Sequence, residues 1–170
     1  MRPPYDPDAL LQETSATLVE TIERRCGTEP TLELLGQRIV VPPHPSFVAP
    51  PLDTARSLLR RMTLYRAGPR VVSRHLAYVD VSVLSSKHDR LLREGTIDLG
   101  GLLRTNASIH RTGFEFGDQD DLHGLGAELA SCLPSGFGSA FGWRTYTASI
   151  GATAVFVVAE VVFHRCPSTA

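Results

Sequence analysis

The spacing of apolar positions along the chain predicts alternating short helices and strands. Over residues 8–25, Leu10, Leu11, Leu18, Val19 and Ile22 recur at helical intervals, with Asp6 or Asp8 placed to cap the start and Gly27 to stop the end. Two short strands are expected over residues 31–35 and 38–41, turning at Gly36. Residues 42–51 hold five prolines in ten positions, which bars both helix and central strand and leaves a loop or flap. Residues 57–66 and 70–80 are rich in branched and aromatic side chains around Ala67-Gly68-Pro69, the pattern of a hairpin. A helix follows over residues 81–93 with Gly95 as its stop, and Asp98 is placed to cap a short turn through Leu103. Residues 107–116 read as a strand, 120–133 as a helix and 136–142 as a glycine-rich loop. A final hairpin spans residues 143–150 and 153–164 around Gly151.

Strands joined by hairpins, with helices inserted between them, predict an α+β fold. The expected form is one domain over residues 1–170, with about six antiparallel strands and flanking helices. Residues 1–56 would supply an N-terminal helix, short strands and the proline-rich flap, and residues 57–164 the core sheet. No internal repeat is visible. The 170 residues, 42% of them hydrophobic, suffice for one real core and exclude the disordered and collagen-like classes. A net charge of -1 offers no global attraction for nucleic acid or an anionic membrane. No apolar run is long enough to span a bilayer, because the longest, residues 152–163, is broken by Glu160. Cys26, Cys132 and Cys166 are odd in number and widely spaced, which fits a reducing, cytoplasmic setting rather than a disulfide framework.

Candidate chemistry centres on Glu160. It interrupts Val155-Phe-Val-Val-Ala-Glu-Val-Val-Phe163, a stretch apolar on both parities and therefore expected to be buried on both faces. A carboxyl group there has to be paired, protonated or turned to a cavity. Burial alone would raise its pKa into the range of a general acid. A structural ion pair, or an edge strand with Glu160 in water, is the other reading. Basic charge is carried by Arg, with Lys87 the one lysine, and Arg60, Arg74 and Arg111 on expected strands are the natural counter-ions. The six histidines lack H-x-x-x-H or H-E-x-x-H spacing, so neither a metal nor a cofactor is expected. There is no G-x-S-x-G nucleophile elbow and no phosphate-binding glycine loop.

Together these residues resemble the chorismate pyruvate-lyase family. Leu59-Arg60-Arg61-Met62-Thr63-Leu64 running into Tyr65-Arg66-Ala67-Gly68, then Val72-Ser73-Arg74, is similar to that family's first core hairpin. Thr96-Ile97-Asp98-Leu99-Gly100 followed by Leu103 looks like its Pro-Leu-Gly loop, with Asp98 where the family has proline. Arg111, Phe114 and Gly117 resemble the next strand, and Trp143 stands seventeen positions before Glu160 as in the last hairpin. The resemblance implies a ligand buried beneath flaps. It also implies a cofactor-independent carbon–oxygen lyase that eliminates pyruvate from chorismate to give 4-hydroxybenzoate in a biosynthetic route. By the same carry-over, Arg60 and the backbone at Leu99 and Gly100 would hold a small-molecule carboxylate. Arg74 and Arg111 would be second candidates, and Glu160 would be the catalytic group.

Two other readings stand beside it. One keeps the fold as an enzyme for another unsaturated or polyketide-like acid. The other is a binding or regulatory module that senses a small acid; residues 1–56 are too short and proline-rich for a winged helix, so no nucleic-acid partner is expected. The 42–51 segment, stiff and outside the sheet, is a candidate lid. Oligomeric state is open.

Overall fold

The computed structural model of the chain describes residues 12–48, 52–53, 55–118, 120, 128 and 141–163. Six antiparallel strands form one sheet in the order β1-β2-β3-β6-β5-β4. They are β1 (Thr31–Val40), β2 (Leu58–Ala67), β3 (Arg70–Val79), β4 (Ile109–Asp118), β5 (Phe141–Ile150) and β6 (Thr153–Phe163). Three helices with described bounds accompany them: α1 (Leu18–Cys26), α2 (Ser86–Arg93) and α3 (Leu99–Thr105). The expected α+β architecture with a six-stranded antiparallel sheet is the one found.

Both tight hairpins form where glycine was expected to turn them. Gly68 and Gly151 take positive φ of 62° and 57° in the β2–β3 and β5–β6 turns. Three elements differ from expectation. The helix expected over 8–25 is interrupted at residues 13–17 and α1 starts afresh at Leu18, because Thr17 and Glu20 close a reciprocal capping box that satisfies the first-turn amides locally; Asp6 and Asp8 lie outside the described residues. The two short strands about Gly36 are a single ten-residue strand, β1, with a bulge between Leu34 and Gly36 in place of a turn. The 81–93 helix is split into a single 3-10 turn at Val81–Val83 and α2, because Ser85 caps the chain afresh by accepting from the His88 amide. The 120–133 helix and most of the 136–142 loop fall outside the described residues.

Helices cover one face of the sheet. Leu92 of α2 and Leu102 of α3, both fully buried, pack with Leu59, Val79, Phe156 and Val158, each such leucine contributing about 1.5–3 kcal/mol. Leu18 and Ile22 of α1 pack farther along the same face against Tyr65 and Val162. On the other face, Val48 and Leu52 close over Leu58, Leu76, Tyr78 and Val157, with Phe47 edge-on to Tyr78 at 5.7 Å. β6, central in the sheet, is thus buried on both faces, as its apolar sequence implied. The described part of the proline-rich segment therefore packs on the face opposite α1 and α3.

Candidate functional site

Between α1 and α3 the helix-covered face leaves a small cavity. Its floor is the alternating residues of four strands: Arg61, Thr63 and Tyr65 of β2, His75 and Ala77 of β3, Val158 and Glu160 of β6, and Tyr146 of β5. Its rim is the start of α1 at Thr17–Val19 and the turn into α3 at 98–100. The free space is ≈ 20 Å³, about one water molecule, so a larger occupant requires the two rims to part.

The strand register decides which polar groups meet. Glu160 stands opposite His75 on β3 and Arg144 on β5, so the three project from the same face of adjacent strands. Arg144, fully buried, donates from Nε to Glu160 Oε2 at 2.5 Å, and Tyr146 donates its hydroxyl to Oε1 at 3.1 Å. Burial pushes the Glu160 carboxyl up. The Arg144 charge and the hydrogen bonds from Arg144 and Tyr146 outweigh it, and the net shift is downward. The raised pKa expected of a buried general acid is therefore corrected: Glu160 is an ionised, fully partnered carboxylate. Tyr146, buried against it, is pushed well above the ordinary tyrosine value and stays a neutral donor. Burial also lowers the pKa of His75, which keeps a neutral ring 3.0 Å from Ser73 Oγ and 4.9 Å from the Tyr65 ring.

Arg61 is the second buried cation, 2% exposed. Nη1 donates to the Leu92 carbonyl at 2.7 Å and to Gln37 Oε1 at 3.0 Å, while Nη2 donates to the Ile97 carbonyl at 3.0 Å. The side chain thereby fastens the α2–α3 connection to the sheet, and its Nε is buried with no hydrogen-bond partner. Asp98 is the α3 cap; it accepts from the Gly101 amide and from the Tyr65 hydroxyl, with Arg104 Nη2 at 3.6 Å. Gly101 cannot carry a side chain here, since a Cβ would lie 2.7 Å from Asp98 Oδ1 and 2.8 Å from Ile97 Cγ1. Of the charged groups lining the cavity, Arg61 is a cation and Asp98 and Glu160 are carboxylates, which Arg104 and Arg144 pair from outside the lining.

Of the residues singled out from the sequence, Glu160, Leu99 and Gly100 line this cavity together. Arg60 does not: it alternates with Arg61 on β2 and points to the opposite face, where it lies 3.6 Å from Glu128 Oε2 and 3.0 Å from Met62 Sδ. Arg74 is in register with Val161, on that same opposite face. Arg111 lies on the cavity side but at its margin. Its Nη2 donates to the Thr14 and Ala16 carbonyls at 2.7 and 3.0 Å, and its guanidinium sits 5.3 Å from the Tyr146 ring centroid. Arg144 does the same for the Glu13 carbonyl at 2.7 Å. Sequence reasoning passed over Arg61, His75 and Arg144 as site residues. A lone arginine in a strand carries no mark of its face, and a one-residue shift exchanges Arg60 for Arg61. Among the described residues, no group of three or more His, Cys, Asp or Glu converges as a metal site would require.

No family model and no curated protein sequence matches the chain. Solved structures do. The chain is similar to PhnF from Mycobacterium smegmatis at a TM-score of 0.59 and 11% identity, covering 88% of this chain and 64% of that one, so it spans less than two thirds of the full protein. The effector domain of the same PhnF gives a TM-score of 0.54 at 11% identity, over 96% of this chain and 93% of the domain. A GntR-family transcriptional regulator from Enterococcus faecalis gives 0.52 at 12% identity, over 79% and 94%. At these identities the likeness is one of fold. The resemblance to chorismate pyruvate-lyases holds at that level, since these domains share the chorismate lyase-like fold. The activity it implied, a carbon–oxygen lyase releasing pyruvate and 4-hydroxybenzoate from chorismate, is corrected by these matches, which include an effector domain and a GntR-family transcriptional regulator.

Proposed function

We propose that this chain is an effector-binding module that takes up a small polar molecule between the α1 and α3 rims of the sheet. The observation that carries the reading is the cavity itself, with a few polar groups set in a largely apolar lining. Arg61, with an unpartnered buried Nε, the neutral His75 and Thr63 line a space rimmed by two helix starts. A folding chain gains nothing from desolvating a guanidinium nitrogen without a partner, and a ligand acceptor would supply one. That the solved relatives in fold include an effector domain supports the same reading. Arg61, the one cation among the described lining residues, sets the ligand class: a neutral or zwitterionic molecule, or an acid with one negative charge, whose acceptor meets Arg61 and whose hydroxyl or amino groups meet Thr63 and His75. Binding has to part the rims, so it couples occupancy to the position of α1 and of the 13–16 segment that Arg111 and Arg144 hold.

Thermal shift with lactate, glutamine, glucose and succinate, followed by calorimetry, tests the reading. At least one of the first three should raise the melting temperature of the wild-type chain, with little response to the dianion succinate. Ala77→Leu, which fills the floor at a cost of about 1–3 kcal/mol, should abolish the response. Binding that survives Ala77→Leu, or a preference for succinate, would overturn the assignment.

A further inference from the structure

β1 is an edge strand, and two of the devices that usually protect an edge, proline and lysine, are missing from its ten residues, Thr-Leu-Glu-Leu-Leu-Gly-Gln-Arg-Ile-Val. It exposes Leu34, Leu35 and Ile39 at 37%, 38% and 46%. The other edge, β4, is interrupted by Gly113 at φ 65° and an irregularity between Thr112 and Glu115, which spoil it as a template. β1 is broken only by its bulge between Leu34 and Gly36, close to its midpoint.

That bulge makes the strand complementary to itself. Register with β2 puts Leu32 and Leu34 before the bulge, and Gln37 and Ile39 after it, on the cavity face, opposite Tyr65, Thr63, Arg61 and Leu59. Glu33 and Arg38, opposite Leu64 and Arg60, lie on the other face. Two copies of β1 run antiparallel about a two-fold axis between Leu35 and Gly36 would set Glu33 of one copy opposite Arg38 of the other, twice. The same register sets Leu32 opposite Ile39 and Leu34 opposite Gln37. In every one of these pairs the two residues belong to the same face, which the bulge alone permits by shifting the alternation by one. Arg38 also gains most from such a neighbour. Within one copy its cross-strand partner is another cation, Arg60, while Glu33 is held only at the surface by Arg66 Nε at 3.0 Å.

We propose that a second copy of this chain is the partner of the β1 edge, joining two six-stranded sheets into one continuous antiparallel sheet with Glu33 and Arg38 as its reciprocal charge pair. Sedimentation equilibrium on the wild-type chain should show a dimer at micromolar concentration. Glu33→Arg and Arg38→Glu should each weaken it at least about tenfold by setting like charges opposite one another, and E33R/R38E should restore it. Ile39→Lys, at a position exposed in the single copy, should weaken it likewise while circular dichroism reports an unchanged fold. A wild-type monomer at 100 μM, as a different partner for this edge would give, overturns the proposal. So does a dimer indifferent to the single charge reversals, or a double variant no better than the singles.

Discussion

Removing either member of the Arg144–Glu160 pair strands the other in the core. Arg144 is 0% exposed and Glu160 4%, with Nε 2.5 Å from Oε2, so neither charge regains water when its partner is lost. For unit charges about 4 Å apart at an effective permittivity of about 20, the attraction is about 4 kcal/mol, against a desolvation cost of several kcal/mol for each ion. The intact pair is close to break-even, whereas a broken one costs about 3–5 kcal/mol. In a chain of this length that corresponds to a fall in melting temperature of about 6–20 °C. Arg144→Met should lie at the upper end, because it also takes the donor from the Glu13 carbonyl. Glu160→Gln keeps the shape and leaves Arg144 with a neutral acceptor. The double variant R144M/E160Q should recover most of the loss, giving a coupling of at least about 2 kcal/mol. Urea unfolding, followed by the fluorescence of Trp143, the chain's single tryptophan, and by circular dichroism, measures all four corners of the cycle. A single variant within 1 kcal/mol of wild type, or strictly additive losses, would refute the buried pairing.

Other expectations follow from the same packing. Gly117→Ala should destabilise by about 1–3 kcal/mol in urea unfolding and alter Trp143 emission, because the new Cβ would lie 2.3 Å from Trp143 Cζ2. Thr17→Ala should cost about 1 kcal/mol in the same assay by opening the capping box of α1. Stability should fall as the medium is acidified. His75 is held neutral, so its contribution is complete above the unfolded value near 6.5 and is lost as pH falls below it. Glu160 has a lowered folded value, so its contribution is complete above 4.5 and is lost as pH falls farther. Unfolding free energies between pH 7 and 5 should therefore decline for wild type and flatten in His75→Gln; equal slopes would exclude His75 as the cause.

The sheet was legible in the sequence because its signals are local. Gly68 and Gly151 mark turns, and β6 is apolar on both parities, so it had to lie inside. Asp98 was legible as a cap for the same reason. The start of α1 was legible too, in Thr17-Leu-Val-Glu20, but Leu18, Val19 and Ile22 also fitted a longer helical spacing, and the break at residues 13–17 was missed. Other features depend on distant partners. Whether Gly36 turns the chain or sits beside a bulge depends on β2 running alongside both halves of β1. Which of Arg60 and Arg61 faces the cavity depends on one residue of register. Glu160 was identified as the buried carboxylate, but its counter-ion, Arg144, comes from a neighbouring strand whose register no local pattern encodes. The sign of its pKa shift followed from that missing partner: burial without Arg144 raises it, and burial with Arg144 lowers it.

The cavity between α1 and α3 carries the functional reading, and amide chemical-shift mapping tests it most directly. The isotopically labelled chain would be titrated with whichever of lactate, glutamine or glucose raises the melting temperature most. Binding there predicts saturable shifts concentrated at Thr17–Val19, Asp98–Gly100, Thr63 and His75, extending through the Arg111 and Arg144 contacts to residues 13–16. Shifts confined to the opposite face around Arg60, Met62 and Arg74, or no saturable shift with any of the three, would contradict it.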